Sequence, residues 1–129
     1  MENRFRHHGM ISWQELSTDD PDRSRKFYGD LFGWEYKEFP MEEGESYWVV
    51  KVDGEEIAGI MKMPPAAGAM PSYWGIYITV DDVDKTVEKA AKLGAQVLVP
   101  PTDIPQVGRF ATLQEAGGAA FSVIKYMEM

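Results

Sequence analysis

The chain nearly repeats itself, and that limits its folding choices more than any other feature. Asp19-Asp20-Pro21-Asp22-Arg23-Ser24 is answered 62 positions later by Asp81-Asp82-Val83-Asp84-Lys85-Thr86, with Asp19, Asp20 and Asp22 falling on Asp81, Asp82 and Asp84. Leu31 falls on Leu93 under the same shift, and after a one-residue gap Gly33 meets Gly94. Matches in a fixed order at a fixed offset mark a duplication. In 129 residues each half is then too small to close a large core alone.

Both halves follow one plan. Met10 to Ser17 reads as a strand. Asp20 caps a helix that Pro21 opens, at a position where a missing N–H is harmless. Ser24, Phe27, Tyr28 and Leu31 recur at helical spacing and give that helix an apolar face, and Gly33 ends it. Strand-like runs follow at Trp34–Phe39, Ser46–Val52 and Glu56–Met63, broken at Glu43-Gly44 and Asp53-Gly54. The second half opens with the strand Tyr73–Val80. Asp82 caps a helix over Val83–Leu93 with Val83, Val87, Ala90 and Ala91 inward, and strands follow near Gln96–Val99, Phe110–Gln114 and Ala119–Tyr126. The expectation is one α+β domain over residues 1–129: module 1 at about 10–63, a Pro- and Ala-rich linker at 64–72, and module 2 at about 73–127. Each module reads βαβββ. Two half-barrel sheets of this kind, with the helices outside, are expected to enclose a cleft where a ligand sits.

Composition narrows the function. The formal net charge is −8, which disfavours nucleic acid and anionic lipid and favours a cationic ligand, although acidic residues also simply coat helices and turns. No apolar run is long enough to span a bilayer, and the first residues lack the apolar stretch of a signal peptide. Cysteine is absent, which removes disulfides, thiolate metal sites and cysteine nucleophiles, and fits a cytoplasmic location. The only histidines, His7 and His8, stand together in a polar leading segment and are expected to be solvated there. There is no Walker loop, dinucleotide glycine motif or nucleophile elbow.

The runs Ser17-Thr18-Asp19-Asp20, Phe27-Tyr28 and Leu31-Phe32-Gly33-Trp34, and in the second half Val80-Asp81-Asp82-Val83-Asp84, Lys92-Leu93-Gly94-Ala95 and Gly108-Arg109-Phe110-Ala111, resemble the vicinal oxygen chelate superfamily. That superfamily holds glyoxalase I, extradiol dioxygenases and the fosfomycin- and bleomycin-resistance proteins, and the chain is most similar to the branch related to lactoylglutathione lyase. The resemblance runs from about Met10 to Met127. It implies a homodimer, and in the metal enzymes a His, Glu or Gln on the first and last strand of each module; small residues and Trp13 at those positions here read as a pocket for a small organic ligand. Those positions map to Trp13, Gly75 and Ser122, with the fourth among Ala58, Gly59 and Ile60. None is a usual ligand for a divalent ion, so the expectation is no metal and no cofactor. The turn before the last strand, Glu115-Ala116-Gly117-Gly118, also departs from the family's Asp-Pro-x-Gly.

The candidate ligand-binding residues are therefore Trp13, Glu15, Trp48, Tyr73, Gly75, Tyr77 and Ser122. Glu15 shares a strand face with Trp13 and is the candidate catalytic group, as a base or a cation-binding carboxylate. Tyr73 and Tyr77 share a face with Gly75, while Trp74, Ile76, Ile78 and Val80 should pack under the helices. Trp48 alternates with Val50 and Val52, a pattern that favours core packing. Arg109 is expected to pair with a surface carboxylate. Three functions stay open: a small-molecule-binding protein or metal-independent enzyme, a metal-dependent lyase or isomerase related to glyoxalase I, and an antibiotic-sequestering protein.

Overall fold

The computed structural model describes residues 3–41, 44–63 and 71–127. A short 3-10 turn at Asn3–Phe5 precedes β1 (Ile11–Thr18), α1 (Pro21–Phe32), β2 (Glu35–Pro40), β3 (Ser46–Val52) and β4 (Glu55–Lys62). Then come β5 (Tyr73–Thr79), α2 (Val83–Lys92), β6 (Gln96–Ile104), β7 (Gly108–Gln114) and β8 (Ala120–Tyr126). The architecture is α+β, with βαβββ order in each half. Among the described residues no helix is long and apolar enough to cross a membrane. The chain forms two compact units, Trp13–Gly75 and the combination of Met1–Ser12 with Ile76–Met129. The division thus falls inside β1 and β5. Most of the expected linker, residues 64–70, lies outside the described residues.

The duplication is visible atom by atom at the helix starts. Asp20 accepts from the Arg23 N–H at 3.1 Å, and Asp82 accepts from the Lys85 N–H at 3.0 Å, the same contact 62 residues on. Each cap satisfies one of the donors a helix start leaves unpaired. Replacing Asp20 by Ala should lower stability by about 1 kcal/mol, read in chemical denaturation, and Asp82→Ala should cost the same. Gly33 closes α1 in the left-handed conformation (φ 76), its N–H bonded to the Gly29 carbonyl.

Within the Trp13–Gly75 unit the strands run in the order β2-β3-β4-β1, with β1 parallel to β4 and the other pairs antiparallel. Leu16, Val50, Ala58 and Ile60 form its core, with Tyr28, Trp34 and Trp48 packed against them. The other unit has the order β5-β8-β7-β6, and its core is Val80, Val83, Ala111, Leu113 and Val123, covered by Val87 and Ala90 of α2.

Three expectations need correction. The apolar face of α1 is mostly uncovered, since Phe27 and Leu31 are each 57% exposed while Tyr28 turns inward and Ser24 hydrogen-bonds Thr18. The helix is seated by bulky groups instead: Tyr28 stacks on Trp34 and the Arg25 guanidinium lies over the Trp48 ring, 3.6 Å from its centroid. Ile76 stays exposed, while Trp74 lies against Tyr28 of α1 but remains 40% exposed, and Val80 is buried as expected. Finally, β6 extends to Ile104 through Pro100-Pro101 rather than stopping near Val99. It is the edge strand of its unit, and its register shifts between Val97 and Thr102 carry the prolines past positions that need an N–H.

Candidate functional site

Alternation along β1 sets Trp13 and Glu15 on the sheet face opposite Leu16 and α1. Gln14, between them, points the other way and donates to the Ile57 carbonyl at 2.6 Å. Tyr47 on β3 shares the face of Trp13 and Glu15 and joins the two. The Trp13 indole Nε1–H donates to the Tyr47 hydroxyl at 3.0 Å, and that hydroxyl donates to Glu15 Oε2 at 2.8 Å. Beneath the ring lies Gly59, register partner of both Glu15 and Val49. A Cβ on Gly59 would stand 1.7 Å from the Tyr47 hydroxyl oxygen and 2.2 Å from its Cζ. The ring crosses β4 only because position 59 has no side chain. Face alternation also resolves the register left open in the sequence, since Ala58 and Ile60 belong to the core and Gly59 to the opposite face.

Sequence reasoning missed Tyr47. The available signal was alternation, since Tyr47 must face away from Trp48 and Val50. Trp48 is a correction in the other direction. It packs on the helix side under Arg25 and does not share the face of Trp13. The ring of Tyr73 lies 3.5 Å from where a Cβ on Gly75 would stand, so the two are neighbours. Trp74 faces α1, donating its indole N–H to the Tyr28 hydroxyl at 3.0 Å.

In the other unit, Tyr77 and Ser122 are register partners on the parallel pair β5 and β8. Ser122 shares a hydrogen bond with Thr112 at 2.8 Å, and the rings of Tyr77 and Phe110 lie 6.4 Å apart. Ser12, fully buried, shares a 2.7 Å hydrogen bond with the Tyr126 hydroxyl, whose ring takes the edge of Phe5. By register, Tyr77, Ser122, Thr112 and Phe110 share one face, which thus carries hydroxyls and aromatic rings.

Arg109 is structural. It grips Asp84 through two hydrogen bonds of 3.0 Å and Asp103 through one of 2.9 Å. These bonds raise its own affinity for the proton, and Arg109 in turn holds the Asp84 carboxyl below its ordinary range. His8 is anchored, its Nδ1 accepting the Asp81 N–H at 3.0 Å.

The donor chemistry of the mapped ligand positions does not fit a divalent cation. An indole, two glycines at 59 and 75, and the Ser122 hydroxyl offer no strong ligand. Among the described residues no three of His, Cys, Asp or Glu are grouped to hold one. What the Trp13 face offers is different. The Trp13 indole N–H and the Tyr47 phenol O–H are both directed within the chain, the second to a carboxylate whose oxygens only accept. Such a surface suits a ligand that brings aromatic area and donors or positive charge.

The sequence profile of the Glyoxalase/Bleomycin resistance protein/Dioxygenase superfamily matches residues 8–123. A Mycobacterium tuberculosis protein named "Putative glyoxylase CFP32" is 44% identical over 117 residues, covering 91% of this chain and 44% of that protein. The Anthracycline biosynthesis protein DnrV of Streptomyces peucetius is 28% identical over 127 residues, covering 89% of this chain and 46% of its own length. The chain thus spans less than half the length of these curated relatives. Among solved structures, a Streptomyces coelicolor methylmalonyl-CoA epimerase in complex with 2-nitronate-propionyl-CoA aligns over 95% of this chain and 100% of its own, with a TM-score of 0.67 and 18% identity. At that identity the likeness concerns the fold.

Proposed function

This chain belongs to the Glyoxalase/Bleomycin resistance protein/Dioxygenase superfamily, and from that premise we propose that it binds a small organic molecule on the face built by Trp13, Tyr47 and Glu15. The observation that carries this reading is the relay from the Trp13 N–H through Tyr47 to Glu15. It fixes a carboxylate beside an aromatic wall and turns the Trp13 and Tyr47 donors toward the chain itself. The ligand class is an aromatic or partly apolar molecule carrying an ammonium, N–H or O–H group. An acidic chain of net charge −8 attracts the same class over longer range. If the molecule is transformed as well as held, Glu15 is the group that takes a proton, with Tyr47 fixing its direction. No step is routed through a metal, because the donor set does not fit one. The relatives named for glyoxylase activity and anthracycline biosynthesis are compatible with an organic ligand of this kind.

Naphthylmethylammonium and naphthoate, matched in ring and opposite in charge, test the reading. The cation should quench tryptophan fluorescence on titration and the anion should not. Trp13→Ala should weaken binding of the cation by about 2 kcal/mol, close to 30-fold, the scale of a lost aromatic contact. Equal affinity for both probes, or an unchanged affinity in the variant, would place the site elsewhere.

A further inference from the structure

We propose that Tyr73 determines specificity on the Trp13 face, its hydroxyl donating to a neutral oxygen acceptor, such as a carbonyl, on the bound molecule. This assignment rests on that face being the binding surface, and it narrows the ligand class to an aromatic cation that also carries such an oxygen. Tyr73 and Gly75 belong to the same compact unit as Trp13, Tyr47 and Glu15. Glu15 lies between two glycines. Gly59 on β4 is its register partner, and on the β5 side a Cβ on Gly75 would stand 4.0 Å from the Glu15 carbonyl oxygen. A tyrosine leans over each. Tyr47 fills the place above Gly59 so closely that no Cβ fits there, and its hydroxyl is committed to Glu15. Tyr73 meets the corresponding point above Gly75 at 3.5 Å through Cε2 and at 4.0 Å through Cδ2. Cε2 is bonded to the carbon that bears the hydroxyl, so the ring leans its hydroxyl end toward Gly75. With no side chain on Gly75, the strip between the Tyr73 ring and the Glu15 main chain is bare.

The two tyrosines differ in what is left to bond. The Tyr47 O–H is spent on Glu15 and the Trp13 N–H on Tyr47. The Tyr73 hydroxyl has no hydrogen-bond partner among the described residues, and Tyr73 is 44% exposed, so solvent reaches it. A molecule lying against Trp13 and over Gly75 displaces that solvent. A phenol O–H stripped of water and left unpaired costs more than a hydrogen bond returns, so a ligand that covers Tyr73 has to supply a partner. A phenol both donates and accepts. The neighbouring carboxylate decides between the two. An ammonium or N–H of the ligand is held more strongly by Glu15, in a charge-assisted bond, which leaves an oxygen acceptor for Tyr73. That oxygen is neutral, because a ligand carboxylate would set like charge near Glu15 in a chain of net charge −8.

Matched probes test this: naphthylmethylammonium bearing an acetyl group, on the substituted ring or on the other ring, and the same two cations bearing isopropyl. Isopropyl copies the shape of acetyl but cannot accept a hydrogen bond. In calorimetric titration the better acetyl cation should bind the wild type about fivefold tighter than its isopropyl match, the scale of a neutral hydrogen bond. Tyr73→Phe should bring that ratio close to unity, and circular dichroism should show the fold intact, since the hydroxyl bonds no described residue. Glu15→Gln should weaken both cations and keep the ratio. The infrared stretch of the bound acetyl carbonyl should move to lower frequency in the wild type and stay at its free position in Tyr73→Phe. A ratio near unity in the wild type, or one that survives Tyr73→Phe, would overturn the role of Tyr73 alone. Affinities of both cations indifferent to Trp13→Ala would overturn the binding face itself, and Tyr73 with it.

Discussion

Gly59→Ala should destabilise the protein by about 3 kcal/mol, at the upper end of what overpacking costs. Almost all of that should vanish when Tyr47 is first shortened to Ala. All three of the nearest atoms to a Cβ at position 59 belong to the Tyr47 side chain, the closest at 1.7 Å. The added methyl must therefore expel the ring, and with it the hydroxyl that links Trp13 to Glu15. Denaturation of the two single variants and the double variant gives the coupling directly, and a value of about 3 kcal/mol is expected. The same Gly59→Ala chain should lose affinity for the naphthyl cation as Tyr47→Phe does, because both break the relay. An equal stability cost in both backgrounds would mean that the methyl strikes the neighbouring strands and that the ring is not what position 59 accommodates.

Gly108→Ala should be as damaging for a different reason. A Cβ there would stand 2.1 Å from the Lys125 carbonyl oxygen and 2.9 Å from the Tyr126 Cα, both main-chain atoms of the paired strand β8. A ring can swing aside, but a backbone held in a ladder cannot without loosening it. The start of β7 would part from the end of β8, where Met127 also donates to Val107. A loss of about 3 kcal/mol, equivalent to roughly 10 °C in Tm, is expected in thermal denaturation. Gly75→Ala serves as the control. The nearest atom to its Cβ, on the Tyr73 ring, is at 3.5 Å, an ordinary contact, so its cost should stay below about 1 kcal/mol. If both substitutions cost alike, the strain at position 108 is not what limits stability.

The sequence was readable wherever the determining interaction is local. Asp20 and Asp82 each bond an N–H three residues ahead, so the helix starts follow from a few adjacent residues, and α1 spans Pro21–Phe32 as its spacing implies. The duplication made the βαβββ order legible, and alternation put Trp13 and Glu15 on one face.

What the chain folded in three dimensions decided was which of two faces is covered and which distant residues meet. Helical spacing grouped Phe27, Tyr28 and Leu31, yet only Tyr28 turns to the core, because Trp34 and Trp48 on the sheet set where the helix rests. Strand alternation separated Tyr47 from Trp48 without saying which would reach Glu15. That depended on the pairing of β3 with β4 and β1 with β4, which sets Gly59 under the ring and Glu15 beside it. A period of two or 3.6 is a property of neighbouring residues and survives in any fold. Register between strands tens of residues apart is set by packing across the sheet, and no local pattern encodes it.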